Sequence, residues 1–288
     1  MEIHPSVKFK SPKSRIRHIS SKGTQSMAWF QNFEKLHDLY MAEFNSKKEE
    51  GRRVSEGIMD YMGANSIHAR NVLDIPCGIG RISHGLLMEG MDVTGVDVSP
   101  SFLNEFRNST DRNAYGGELK LIKASFNTFR PHLGNSKYDL MINWWTSFGY
   151  SSYDDDVRFF SNLRSFSHRD TVLMVETWHK DYIMSHRMPF TYKDLGEMAV
   201  MNENSFPDNG SAVKTMHKYF EKSGRDLLFL NQFESAIRLY SRSELQDLMR
   251  KSGWKAVDIF NDIESRTPFS DERDRIVMVL KPETGNMQ

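Results

Sequence analysis

Two acids, Asp74 and Asp97, end the apolar segments 71–75 and 92–97, and the turn Pro76-Cys77-Gly78-Ile79-Gly80-Arg81 follows the first of them. Gly78 and Gly80 let the backbone turn tightly, approach a ligand closely and pass into a helix. A carboxylate at the end of the second segment can accept hydrogen bonds from both hydroxyls of a ribose. A carboxylate just before the turn repels a phosphate but suits an ammonium group. A pyrophosphate-binding turn also asks for a third glycine where Ser83 stands. The chemistry therefore favours a ribose-bearing ligand of net positive charge, such as S-adenosylmethionine, over a dinucleotide.

The elements that must carry these residues alternate. Strands are expected at 71–75, 92–97, 119–123, 138–143 and 171–176, with helices at 81–89, 99–106 and 154–166 between them. This is the pattern of an α/β, doubly wound, Rossmann-like parallel sheet. Ligands in such a sheet bind beyond the carboxyl ends of the strands, which here are Asp74, Asp97, Ser125, Asn143 and Glu176. Two helices are expected before the first strand, within 28–65 and separated by the charged run 47–53. After residue 178 the pattern becomes irregular, and two or three antiparallel strands are expected as an insertion at about 188–240. A helix at 241–251 and strands at 255–259 and 275–280 complete seven strands. The division is a basic mobile arm, 1–27, followed by one domain, 28–288.

Composition narrows the class. Of 288 residues 39% are hydrophobic, and 38 basic residues balance 38 acidic ones, so no overall field draws the chain to nucleic acid or anionic lipid. The arm, with Lys8, Lys10, Lys13, Arg15 and Arg17, is the local exception. The single cysteine, Cys77, excludes an internal disulfide framework and a multi-cysteine zinc site, and it reads as a packing residue. No window approaches the ~18 apolar residues of a membrane span, and the amino terminus lacks an apolar signal core. A cytoplasmic protein without a membrane partner or a metal is expected.

Three motifs, Asp74-Ile75-Pro76-Cys77-Gly78-Ile79-Gly80-Arg81, Val93-Thr94-Gly95-Val96-Asp97-Val98-Ser99-Pro100 and Asn143-Trp144-Trp145-Thr146-Ser147-Phe148-Gly149-Tyr150, resemble the cofactor loop, the ribose-binding strand end and the fourth-strand motif of class I S-adenosylmethionine-dependent methyltransferases. The resemblance extends over about residues 40–281 and is closest to the small-molecule branch. It implies a seven-stranded sheet with the last strand antiparallel and S-adenosylmethionine as cofactor. The chain departs from the family in having Pro76 for the first loop glycine and Ala124-Ser125 for the usual Gly-Asp at the third strand end. Ser125 can still accept a hydrogen bond, without charge assistance. The expected cofactor residues are Asp74, Pro76, Gly78, Gly80, Arg81, Asp97, Val98, Ser125, Asn143, Trp144 and Tyr40.

Alternation at the strand end sends one ring of the Trp144–Trp145 pair to the core and the other to the cleft or its rim. Trp145, Tyr150, Tyr153, Arg238 and Tyr240 are the candidates for lining a substrate pocket, with the insertion and the amino-terminal helices as its lid. Methyl transfer is an in-line displacement that positioning alone serves for a neutral amine. An alcohol or phenol calls for a base, and His179 is the candidate, one of ten histidines. The expected activity is methylation of nitrogen or oxygen on a small molecule. The alternatives are an RNA methyltransferase using the basic arm, a non-catalytic methyltransferase-like binding domain and, least favoured, a dehydrogenase. The sequence Asn143-Trp144-Trp145 lacks the Pro-Pro run typical of base-amino methylation in related enzymes, so a nucleic acid partner is possible but not favoured.

Overall fold

The computed structural model describes residues 37–110, 115–207 and 210–283, so the expected basic arm lies outside the described residues. Two helices, α1 (His37–Asn45) and α2 (Lys48–Ala64), precede the strand β1 (Asn71–Asp74). There follow α3 (Ser83–Met88), β2 (Asp92–Asp97), α4 (Pro100–Ser109), β3 (Leu119–Lys123), α5 (Arg130–Leu133), β4 (Tyr138–Asn143), α6 (Tyr153–Arg164) and β5 (Ser167–Trp178). After α7 (Lys180–Ser185) come β6 (Phe190–Asp194), β7 (Met198–Ser205), β8 (Ala212–Ser223) and β9 (Asp226–Arg238). The chain ends with α8 (Arg242–Lys251), β10 (Trp254–Phe260) and β11 (Arg275–Pro282).

Seven strands form one sheet in the order β10-β11-β5-β4-β1-β2-β3, parallel except for β11. Alternate residues of the strands feed two cores. Leu73, Met141, Leu173, Val175, Ile276 and Met278 face Phe160, Leu163, Leu245 and Leu248 of α6 and α8. Their neighbours Val72, Leu140, Ile142, Val172, Met174 and Val277 face Ile58, Leu86, Leu103 and Phe106 of α2, α3 and α4. Burial on both faces explains why these strands read as nearly continuous apolar runs. The helices begin where short polar side chains take up free backbone donors: Ser99 accepts from the Phe102 N–H, and Ser152 and Ser241 complete capping boxes with Asp155 and Glu244.

Two expectations need correction. The charged run 47–53 does not separate the first helices but lies almost wholly inside α2. Arg52 pairs with Glu49 and Glu56 on the outer face, while Gly51, Val54, Ser55, Gly57 and Ile58 are buried on the inner one. The insertion contains four antiparallel strands, β6-β7-β8-β9, rather than two or three. β8 and β9 run 12 and 13 residues, and polar side chains on both faces had hidden their period.

One face of this small sheet carries Val200, Tyr219 and Phe233, packed against Leu39 and Tyr40 of α1. The same face holds a polar row. His217 Nδ1 is 2.9 Å from Asn202 Oδ1 and its Nε2 is 2.8 Å from Ser235 Oγ, while Thr215 Oγ1 donates to Asn204 Oδ1 at 2.8 Å. Burial pulls the His217 imidazole down to about 4, so it is neutral near pH 7.

Helix α2 seats against the loop between β10 and β11 at Gly57, where a Cβ would come within 2.8 Å of the Ile263 carbonyl oxygen. Backbone cannot swing aside as a side chain can. Gly57→Ala is expected to lower the unfolding free energy by about 1–3 kcal/mol, read as a shift of the urea midpoint at constant slope.

Candidate cofactor site

The strand order reverses between β1 and β4, the place at which an open sheet of this kind forms its cleft. Asp74 ends β1 and is buried, accepting a hydrogen bond from Ser83 Oγ at 2.6 Å. Asp97 ends β2 and is also buried; its Oδ2 accepts from the Gly78 N–H and its Oδ1 from the Ser99 N–H, both at 2.9 Å. The backbone at Gly78 has φ of +53°, and a Cβ there would meet nothing within 4 Å, so this peptide lies open to a ligand. Gly80 serves differently. With φ of +78° it packs so tightly on Phe106 that a Cβ would lie 2.3 Å from the ring. Pro76 is half-buried between the two acids' loops, joined to Ile75 by a cis peptide bond. Cys77 is buried, its sulfur close over Gly95, which agrees with packing.

Burial, with a smaller push from the neighbouring Asp97, raises the Asp74 carboxyl to about 7. Ser83 and Arg81 oppose the rise without cancelling it. Because this value lies above that of an unfolded carboxyl, the fold takes up a proton here. The resulting stabilisation of the ligand-free protein is full below the unfolded value and is lost as the pH rises through about 7. Above that pH two ionised acids share the pocket, a poor arrangement for an empty site and a good one for a cation.

Asn143, fully buried at the end of β4, donates Nδ2 to the Ile75 carbonyl at 2.8 Å, and its Oδ1 has no partner in the described structure. A buried acceptor left unsatisfied is costly unless a ligand supplies the donor. Two residues further on, Trp145 and Thr146 both have positive φ, 55° and 54°. Glu176, two residues before the end of β5, holds this left-handed turn: its carboxylate accepts from the Trp145 N–H at 2.7 Å, and its carbonyl accepts from the Thr146 N–H at 3.2 Å. Arg275 Nη1 donates to the other Glu176 oxygen at 2.7 Å. The turn presents the Trp145 ring beneath the Arg81 guanidinium, 3.5 Å from the ring centroid, while Trp145 Nε1 donates to Glu50 of α2 at 2.8 Å. Burial lowers Arg81 to about 10, still charged at neutral pH.

Tyr150 donates its hydroxyl to the Thr146 carbonyl at 2.9 Å and lies within electrostatic reach of Asp97. Tyr40 is within reach of Tyr150 and packs on Phe102 of α4 and on Phe233 of β9. Burial raises both tyrosines well above the ordinary phenol value. Tyr40 thus stands between the acid-lined loop and the polar face of the small sheet.

The structure therefore brings together Asp74, Gly78, Gly80, Arg81, Asp97, Asn143, Trp145, Tyr150 and Tyr40, with half-buried Val98 following Asp97. It leaves others elsewhere. Ser125 bonds within its own turn, to Thr128. Of the tryptophan pair it is Trp144 whose ring enters the core, a packing place in correction of the cofactor contact expected of it. Tyr240 is a correction too: it is buried against Phe148 and gives its hydroxyl to Asp156 of α6, while Tyr153 of α6 lies nearby under Lys251 of α8. Arg238 donates its backbone N–H to the Gly149 carbonyl at 2.8 Å, docking β9 on the loop after β4. His179 is buried against Phe269 and the Arg273 carbonyl, not among the cofactor-loop residues. Glu50, Thr146 and Arg275 escaped sequence reasoning, since a helix acid, a loop threonine and a strand-end arginine carry no spacing that marks them.

Residues 72–169 match the family model described as a methyltransferase domain. Among solved structures, the chain is similar to an S-adenosylmethionine-dependent methyltransferase from Clostridium acetobutylicum, with TM-score 0.72 and 19% identity over 87% of this chain and 99% of that one. It is similar to the CcbJ methyltransferase from Streptomyces caelestis, with TM-score 0.67 and 18% identity over 81% and 95%. It is also similar to CalS10, an amino pentose methyltransferase from Micromonospora echinaspora with S-adenosylmethionine bound, with TM-score 0.61 and 14% identity over 91% and 99%. A search of curated proteins finds no match. The fold is that of the class I S-adenosylmethionine-dependent methyltransferases.

Burial and neighbours hold the Asp156 carboxyl at about 6 while Tyr240 donates to it. Tyr240→Phe is expected to cost about 1–3 kcal/mol of stability, more above that pH than below it because the ionised carboxylate needs the donor. Denaturant titrations at two pH values check this.

Proposed function

We propose that the protein binds S-adenosylmethionine in this cleft and transfers its methyl group to nitrogen or oxygen of a small molecule, nitrogen being the favoured acceptor. The observation that carries the reading is the set of buried acceptors around the open Gly78 peptide: Asp74, Asp97 and the unpartnered Oδ1 of Asn143. They suit a ligand with a ribose at one end and an ammonium near the other. Asp97, fixed by two backbone N–H groups, ends β2 at the position from which a carboxylate accepts from ribose hydroxyls. Asp74 and Asn143 Oδ1 accept from the ammonium. When bound, the cofactor supplies an electrophilic methyl that a nucleophile must approach in line.

The acceptor is assigned to the side of Tyr40 and Tyr150 that faces the polar row of His217, Asn202 and Ser235. His217 has both ring nitrogens engaged and is neutral, so it positions rather than accepts a proton. The two tyrosines, pushed above their ordinary value, are donors rather than bases near pH 7. An amine arriving with a free lone pair needs no base, whereas an alcohol does. The amino pentose acceptor of CalS10 is in keeping with such a polar pocket.

The test is label transfer from methyl-tritiated S-adenosylmethionine into pools of amino sugars, other small amines and hydroxylated analogues, with structured RNA as a parallel substrate. Product from the amine pool is expected. Label in RNA alone, or cofactor binding with no product in any pool, would favour the nucleic-acid or the non-catalytic reading and contradict this one. Asp97→Ala, which removes the acceptor of two hydroxyls, is expected to weaken cofactor affinity on the order of 100-fold by calorimetry. An affinity within a factor of about three of the parent's would mean the ribose lies elsewhere.

A further inference from the structure

The chain leaves the large sheet for the small one at His179 and returns at Tyr240, and these two residues form a β-bridge, with the Lys180 N–H donating to the Tyr240 carbonyl at 3.0 Å. At this stem the His179 ring is 0% exposed, edge-on to Phe269 with centroids 5.1 Å apart. Its Nδ1 is 3.3 Å from the Arg273 carbonyl oxygen. A carbonyl only accepts, so Nδ1 carries the hydrogen and Nε2 of the neutral ring presents its lone pair. Nε2 is buried and makes no hydrogen bond, yet it faces Asp181 Oδ2 at 3.4 Å and Asp271 Oδ1 at 3.5 Å. The three atoms lie within 4.8 Å of one another, the one such group of three among the described residues.

A lone pair set against two anionic oxygens is repulsive, and a cation between them makes all three donors. Tetrahedral zinc with bonds of about 2.1 Å spaces its ligand atoms about 3.4 Å apart, the separation Nε2 keeps from each carboxylate. The Nδ1–H bond to a backbone carbonyl is the support that orients metal-ligating imidazoles. The two aspartates, 59% and 77% exposed, leave the group open to an entering ion and to water. Their two negative charges balance a divalent cation.

We propose that His179, Asp181 and Asp271 bind a zinc-class divalent cation, with water completing the sphere. The ion ties α7, at the stem of the small sheet, to the loop between β10 and β11. The single cysteine excludes a thiolate cluster but not this imidazole–carboxylate set. The inference does not rest on methyl transfer.

The full-length protein, stripped with chelator and dialysed, is titrated with zinc chloride while binding heat and melting temperature are recorded. One ion per chain and a raised melting temperature are expected. Asp181→Asn and Asp271→Asn should each weaken zinc at least about tenfold and melt no lower than the parent in the absence of metal. His179→Ala opens a cavity and is a poorer probe, so the aspartate variants carry the test. Absence of a zinc-dependent rise, or equal zinc affinity in the parent and both variants, would overturn the proposal. So would variants that melt lower than the metal-free parent, because the carboxylates would then be pairing with a protonated ring.

Discussion

Two carboxylates that end adjacent strands, Asp74 and Asp97, are buried side by side, and the rest of the site is arranged around that electrostatic problem. Asp97 is relieved by two backbone donors, and Asp74 by Ser83 and the distant charge of Arg81. The relief is partial, as the raised Asp74 carboxyl shows. A fold that buries like charges in this way stores a preference for a positively charged ligand, realised only when that ligand displaces the proton.

The elements around the acids keep the preference from being lost to water or to movement. Glu176 and Arg275 pin the left-handed turn at Trp145 and Thr146, and strain of that kind persists only where surrounding contacts over-determine it. Glu50 from α2 reaches the same Trp145 ring, so the amino-terminal helices are bonded into the site wall rather than merely laid over it. The small sheet then closes the opposite side through Tyr40 and Phe233. The inner face of that sheet sets a polar row of His217, Asn202 and Ser235 beside its apolar cluster of Val200, Tyr219 and Phe233.

Much of the large sheet was legible because its strands are buried on both faces and end in chemistry: the apolar runs before Asp74, Asp97 and Asn143 each stop where the backbone meets the cleft. The glycine turn was legible because Gly78 and Gly80 adopt conformations that other residues rarely hold. The four strands of the small sheet were less legible than those of the large one, since β8 and β9 carry polar side chains on both faces and give no clear period. The run 47–53 reads as a break by its charge density, whereas the i, i+3 and i, i+4 pairs of Arg52 belong to one helix, α2. Tyr240 by its position and Trp144 by its place in the fourth-strand motif read as cleft residues, whereas packing against Phe148 and in the β-sheet core decides where they lie. No sequence spacing announces that Glu176 meets Arg275 across 99 residues.

The central claim is most directly tested by counting protons. Calorimetric titration of the ligand-free protein with S-adenosylmethionine at about pH 6, in two buffers of different ionisation enthalpy, measures how many are released on binding. The account predicts the release of a substantial fraction of one proton by the parent and almost none by Asp74→Asn. Tight binding with no proton release from the parent, or the same release from both proteins, would contradict it.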